Sequence, residues 1–114
     1  MKFPRGTLVV ANLDPVTGHE QRGRRPSIVV SNPDASEHQR FPTLCLVPVT
    51  STPGTGALYP AIGAGARSGL SRTSYAMVDQ LRSVDKRRVQ AVVGQLALEE
   101  LEAVDLGIRL FLGV

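Results

Sequence analysis

The sequence predicts a mainly β domain of the α+β class, either a compact barrel or a sheet packed under a helix, ending in one α-helix. Three observations predict it. Short aliphatic and β-branched runs bounded by Pro, Gly, Asn or Asp recur between Thr7 and Val93. A single stretch near the C-terminus switches to the helical period. The 114 residues, 42% hydrophobic and 20% charged, make one globular domain, residues 1–114, and leave no room for a second.

Taken in order, Thr7–Leu13, Ser27–Ser31 and Thr43–Val49 read as strands. Their apolar residues are nearly continuous rather than alternating, so these strands are expected to be covered on both faces. A short strand is expected near Ala57–Ile62, and two more at Thr73–Val78 and Arg88–Val93. After Gly94, the residues Ala97, Leu101, Val104, Ile108 and Phe111 recur at spacings of four and three and mark the buried face of a helix. Glu99, Glu100, Glu102 and Asp105 occupy its other side, with Arg109 near the end, as the helix dipole favours. No good N-cap residue precedes it. Two loops stand out. Asp14–Gly23 is too long for a tight hairpin, and such loops are functional or disordered. Ser51–Arg72, rich in Gly, Pro, Ser and Thr, reads as mobile.

Thirteen Lys and Arg against ten Asp and Glu give a net charge of +3, which suits an anionic partner without requiring one. The lone cysteine, Cys45, has no intrachain disulfide partner and no nearby base to activate it, so it reads as a packing residue of a cytoplasmic protein. No Cys/His spacing points to zinc, and no metal or cofactor is expected. Phe41–Ala66 carries no charge, but Pro42, Pro48, Pro53, Pro60 and four glycines break it, so no membrane helix is expected. The run Leu8–Ala11 is too short for a signal-peptide core.

The chemistry concentrates between Asp14 and Pro26. His19, Glu20, Arg22, Arg24 and Arg25 set an imidazole, a carboxylate and three guanidinium groups ahead of a strand. Guanidinium groups chelate phosphate oxygens in bidentate fashion, and a carboxylate can take a proton from a neighbouring hydroxyl. The same residues equally suit a solvated hairpin tip, and His19 alone suits the surface better than a base. A second basic run, Arg82, Lys86, Arg87 and Arg88, interrupted by Asp85, reads either as a solvated turn or as a contact for a nucleic-acid backbone.

Taken in order, Arg5-Gly6, Asp14-Pro15, Gly18-x-Glu20-Gln21, Arg25-Pro26 before Ile28-Val29-Val30-Ser31, Val47-Pro48-Val49-Thr50-Ser51 and Asp79-Gln80-Leu81-Arg82-Ser83 resemble the MazF/PemK toxins over essentially the whole chain. The resemblance implies a small SH3-like β-barrel of the MazF/Kid/CcdB kind with a C-terminal helix. It implies a homodimer that cleaves single-stranded RNA at short sequences without a metal, held inactive by a cognate MazE-like antitoxin with an acidic tail. Carried over by position, it assigns catalysis to Glu20, Arg25 and Thr50. It assigns RNA contacts to His19, Gln21, Arg24, Asn32, Ser51, Asp79 and Gln80. Two departures are noted: His19 replaces a serine common in the family, and Thr7 replaces the acidic residue that often follows Arg5-Gly6.

Metal-free RNA cleavage uses the substrate's own 2′-hydroxyl, so the protein must take its proton, hold the charge of the five-coordinate transition state and assist the leaving 5′ oxygen. Glu20 suits the first task, with His19 as the alternative. Arg25 suits the second, because a guanidinium is a strong charge stabiliser and a poor proton donor. Thr50 brings one hydroxyl to donate, although a strand-end threonine also satisfies its own backbone. Asp79-Gln80 reads as a simple turn or as a base-edge reader. With no Trp, two Tyr and three Phe, an aromatic stacking platform is not expected. Two other functions fit a fold of this kind: a non-catalytic toxin that binds a protein such as gyrase, and a barrel that binds RNA without cutting it.

Overall fold

The computed structural model describes residues 3–14, 18, 23–32 and 42–114. Among these, seven strands and one α-helix form: β1 (Thr7–Asn12), β2 (Arg24–Val29), β3 (Thr43–Thr50), β4 (Ala61–Ile62), β5 (Ser74–Ala76), β6 (Arg82–Asp85), β7 (Val89–Gln95) and α1 (Leu98–Leu112). The sheet runs β4-β5-β3-β2-β1-β7, with β6 also on β3, and every pairing is antiparallel. β3 holds the curl. Along one edge it pairs first with β6 (Thr43↔Asp85 to Leu46↔Arg82) and then with β5 (Val49↔Ala76, Thr50↔Tyr75), while its other edge pairs with β2. Pro48 stands between the two partners, where the ladder is interrupted and a missing N–H is tolerated. Its carbonyl still accepts the Met77 N–H at 2.8 Å.

The continuous apolar runs resolve into two cores because successive residues point to opposite faces. Leu8, Ile28, Val47 and Val49 face α1 and share a core with its Val104. Val9, Ala11, Val29, Leu44 and Leu46 face the other way, over Phe3 and Leu13. β2 starts three residues earlier than the aliphatic run, because the pairs Asn12↔Arg24 and Ala11↔Arg25 draw charged residues into the ladder. β5 is shorter than expected, giving way to a 3₁₀ turn at Val78–Gln80. β6 was not foreseen: Val84 is its one buried residue, so its sequence carries no apolar signal.

The helix forms where the period placed it, and Glu100 supplies the missing cap. Its carboxylate accepts the N–H of Ala97 and that of Gly63, each at 2.8 Å, so a residue inside the first turn reaches back to the helix start. Val104 and Gly107 are buried, with Leu101 and Ile108 half-buried against the first core. Phe111, expected on the buried face, is instead 46% exposed. The helix packs on the Val78–Gln80 turn, and Leu110, Phe111 and Leu112 of its last turn are exposed. Among the described residues no helix is long and apolar enough to cross a membrane.

At Gly107 the helix backbone comes close to its neighbours. A Cβ there would stand 2.8 Å from the Ala57 carbonyl oxygen and 3.1 Å from Val78 Cγ2. Alanine normally gains about 1 kcal/mol over glycine within a helix. Here overpacking, at about 1–3 kcal/mol, outweighs that gain. Gly107→Ala is therefore expected to lower the urea midpoint, and a raised midpoint would contradict the close packing.

Arg5 ties the N-terminal segment to the helix. Its guanidinium pairs with the Asp105 carboxylate at 2.5 and 3.1 Å, which holds its proton more firmly, and its Nε donates to the Val30 carbonyl at 2.8 Å. Gly6 follows at φ +90°, with Leu101 packed against it. The Arg5-Gly6 pair thus has a structural role, and Thr7, one of the two departures, spends its hydroxyl on the Pro4 carbonyl.

The Ser51–Arg72 segment, expected to be mobile, is tied down. Leu58 and Pro60 carbonyls accept the N–H groups of Val78 and Ala76, the Arg67 carbonyl accepts that of Gln95, and the Ser68 hydroxyl donates to the Gly63 carbonyl. Apart from the Ser68 hydroxyl these anchors are backbone groups, which composition does not reveal.

Candidate functional site

A polar recess of about 190 Å³ opens where β2, β3 and the segment before β5 meet. Arg25, Pro26, Thr50, Ser51, Ser71, Arg72 and Ser74 line it, with Val49 and Leu70. The register explains the central pair. Ser27 lies opposite Pro48, so continuing β2 and β3 by two residues sets Arg25 across from Thr50 on the same face. Two residues widely separated in sequence are thereby brought together by one antiparallel ladder.

Thr50 Oγ1 accepts the N–H of Thr52 at 3.1 Å, which satisfies the strand end. The same hydroxyl retains its hydrogen as a donor, so the backbone role and a role toward a bound oxygen coexist. Arg72 is held from behind, because the Ser74 hydroxyl donates to its carbonyl at 3.0 Å. Among the described residues, two guanidinium groups and three hydroxyls besides that of Thr50 line the recess, and no carboxylate does. That set attracts a phosphate and gives it donors on several sides.

Of the other residues singled out in the sequence, Ser51 lies in the recess beside Thr50. Arg24 is exposed on β2 and points to the opposite face from Arg25. Asn32 is exposed beyond the far end of β2, roughly 20 Å of extended chain from Arg25. Asp79 and Gln80 occupy the 3₁₀ turn after β5 and do not line the recess. The Tyr59 hydroxyl donates to Asp79 Oδ2 at 3.0 Å, and that carboxylate pushes the tyrosine's pKa up. His19, Glu20 and Gln21 lie outside the described residues. The ends of their segment are closed on each other: the Leu13 N–H donates to the Gly23 carbonyl at 2.8 Å, and the Gly23 N–H donates to Asp14 Oδ1 at 3.0 Å. The segment therefore returns to the sheet two residues before Arg25.

Sequence reasoning missed Arg72. The available signal was an arginine at the end of a Gly/Ser-rich stretch, just ahead of the strand that pairs with Thr50. Cys45 is half-buried, and burial pushes its thiol pKa up, which fits a packing residue. In the second basic run, Arg87 pairs with Asp85 at 3.0 Å and, by side-chain and backbone hydrogen bonds, lowers the carboxylate's pKa to about 2. Among the described residues no three His, Cys, Asp or Glu side chains cluster as a metal site would need.

A family model described as PemK-like, MazF-like toxin of type II toxin-antitoxin system matches residues 4–112. The chain is 30% identical over 115 aligned residues to Endoribonuclease EndoA of Bacillus subtilis (strain 168), covering 100% of this chain and 97% of that protein. Among solved structures it resembles MazF from Deinococcus radiodurans, with a TM-score of 0.86 and 28% identity, covering 100% and 99% of the two chains. It also resembles a chain of the MazE-MazF complex from the same organism, with a TM-score of 0.78 and 28% identity, covering 100% and 98%. The curled sheet with its C-terminal helix is thus a fold already seen in solved proteins.

Proposed function

Because the chain belongs to the family of PemK-like, MazF-like toxins of type II toxin-antitoxin systems, we propose that it is a sequence-specific endoribonuclease that cleaves single-stranded RNA without a metal. The observation that supports this chemistry most directly is the facing of Arg25 and Thr50 across one polar recess, with Arg72 beside them. In the proposed reaction Glu20 takes the proton of the 2′-hydroxyl, whose oxygen attacks the adjacent phosphorus. Arg25 and Arg72 balance the charge that gathers on the non-bridging oxygens, and Thr50 donates a hydrogen bond to one of them. The 5′ oxygen departs and takes up a proton, leaving a 2′,3′-cyclic phosphate and a 5′-hydroxyl. His19, Gln21, Arg24, Asn32, Ser51, Asp79 and Gln80 are proposed to contact RNA.

Incubation with a long single-stranded RNA in EDTA tests this reading. The expected result is cleavage at a short sequence, with cyclic phosphate or its opened product at the new end. Strict dependence on added Mg2+ would sink the mechanism. Binding without cleavage would favour a non-cleaving RNA-binding barrel, and neither binding nor cleavage would favour a toxin that acts on a protein.

The assembly follows the same reading. The described chain leaves Leu106, Leu110, Phe111 and Leu112 between 46% and 59% exposed on the outer part of α1. We assign this apolar surface to a homodimer in the cytoplasm. The cognate antitoxin is proposed to lay an acidic tail along the arginine-lined recess, folding as it binds. Sedimentation at micromolar concentration is expected to show a dimer, which the antitoxin then shifts to a heavier complex that excess RNA depletes. A monomer, or a complex insensitive to RNA, would contradict these assignments.

A further inference from the structure

Arg82 and Arg88, from the second basic run, both turn inward. Arg82 Nη1 donates to the Leu13 carbonyl at 3.3 Å. Arg88 Nη1 donates to the Asn12 carbonyl at 3.3 Å and to that of Asp14. Three consecutive carbonyls at the exit of β1 are thus held by two guanidinium groups that flank the Asp85–Arg87 turn. The held segment is linked onward: Asn12 Oδ1 accepts the Asp14 N–H at 3.1 Å, and Asp14 Oδ1 accepts the Gly23 N–H at 3.0 Å. Gly23 leads directly into Arg24 and Arg25.

We propose that Arg82 and Arg88 are positioning residues for cleavage: they clamp the exit of β1 and, through Asp14 and Gly23, fix the start of β2 that carries Arg25. The physical basis is that carbonyl groups leaving a sheet need donors, and a charged donor holds them more tightly than water. A fixed origin matters because Arg25 must meet oxygens whose charge appears only in the transition state, and a displacement of about 1 Å can cost on the order of 100-fold in rate. The spacing of the basic run is accounted for in the same way: Arg82 acts from the start of β6, Arg88 acts from just before β7, and Arg87 between them is spent on Asp85.

This proposal rests on the ribonuclease reading, and kinetics separate it from a direct RNA contact. Arg88→Gln and Arg82→Gln are each expected to lower kcat by roughly 10- to 100-fold while KM changes by less than about threefold. The salt dependence of binding to an uncleavable RNA should stay unchanged, because no phosphate contact is lost. Arg88→Lys, whose single nitrogen can still donate to both carbonyls, should recover part of kcat. Asp14→Ala removes the side-chain bond to Gly23 and leaves only the Leu13 N–H bond to the Gly23 carbonyl, so combining it with Arg88→Gln should add little further loss. Amide exchange at Gly23 should accelerate in Arg88→Gln with the melting temperature little changed. A raised KM with a salt slope reduced by about one charge would make Arg88 an RNA-backbone contact and overturn the proposal. So would unaltered kcat and exchange in an active protein, or fully multiplicative losses. A wild-type chain that cuts no RNA, with exchange at Gly23 still faster in the variant, would overturn the ribonuclease reading and leave the clamp as a fold element.

Discussion

Arg25→Lys is expected to reduce kcat for RNA cleavage by about 100- to 1000-fold, the scale seen when a preorganised donor to a developing oxyanion is lost. Lysine keeps the charge but replaces a planar fork with a point donor on a flexible stem, so it cannot chelate two oxygens at once. The backbone at Arg25 sits in the β1–β2 ladder opposite Ala11, so the substitution leaves the fold intact and the loss reads on chemistry. RNA binding should weaken far less than kcat, because Arg72 and the recess hydroxyls remain. A fully active Arg25→Lys protein would remove Arg25 from the reaction.

Replacing the 2′-hydroxyl of the cleaved nucleotide by hydrogen is expected to abolish cleavage altogether while leaving binding nearly unchanged. In the proposed reaction this hydroxyl is the nucleophile, and no protein side chain stands in for it. The proton it loses goes to Glu20, so the wild-type rate should rise with pH through the carboxylate's titration, and Glu20→Gln should flatten that limb. If the limb instead disappears in His19→Ala, the imidazole is the base. Cutting of the deoxy-substituted RNA at the same position would mean that water or a side chain attacks the phosphorus, and the assignment of Glu20, Arg25 and Thr50 would have to be rebuilt.

Sequence alone determined the class of fold, because hydrophobic period is a local property. The runs Thr7–Leu13 and Thr43–Val49 and the face Leu101, Val104, Ile108 declared two-sided strands and a C-terminal helix, and the structure places them so. The loop chemistry and the ordered motifs pointed to Arg25 and Thr50 through resemblance, without showing that the two meet. Where local signals were weak, tertiary contacts decided. β6 exists because β3 offers it an edge, with only Val84 to bury. The Gly-rich Ser51–Arg72 segment is fixed by backbone hydrogen bonds to the end of β5, the Val78–Gln80 turn and β7. Phe111 has the right period and is nonetheless exposed. The site itself was decided the same way. Arg72 joins Arg25 and Thr50 only because β5 pairs with the last two residues of β3, and Arg82 and Arg88 became loop anchors because β6 and β7 bring them to carbonyls about 70 residues away in sequence. Side-chain type and spacing are written in the chain, but which groups face each other depends on strand register, and register is set by the packing of the whole sheet.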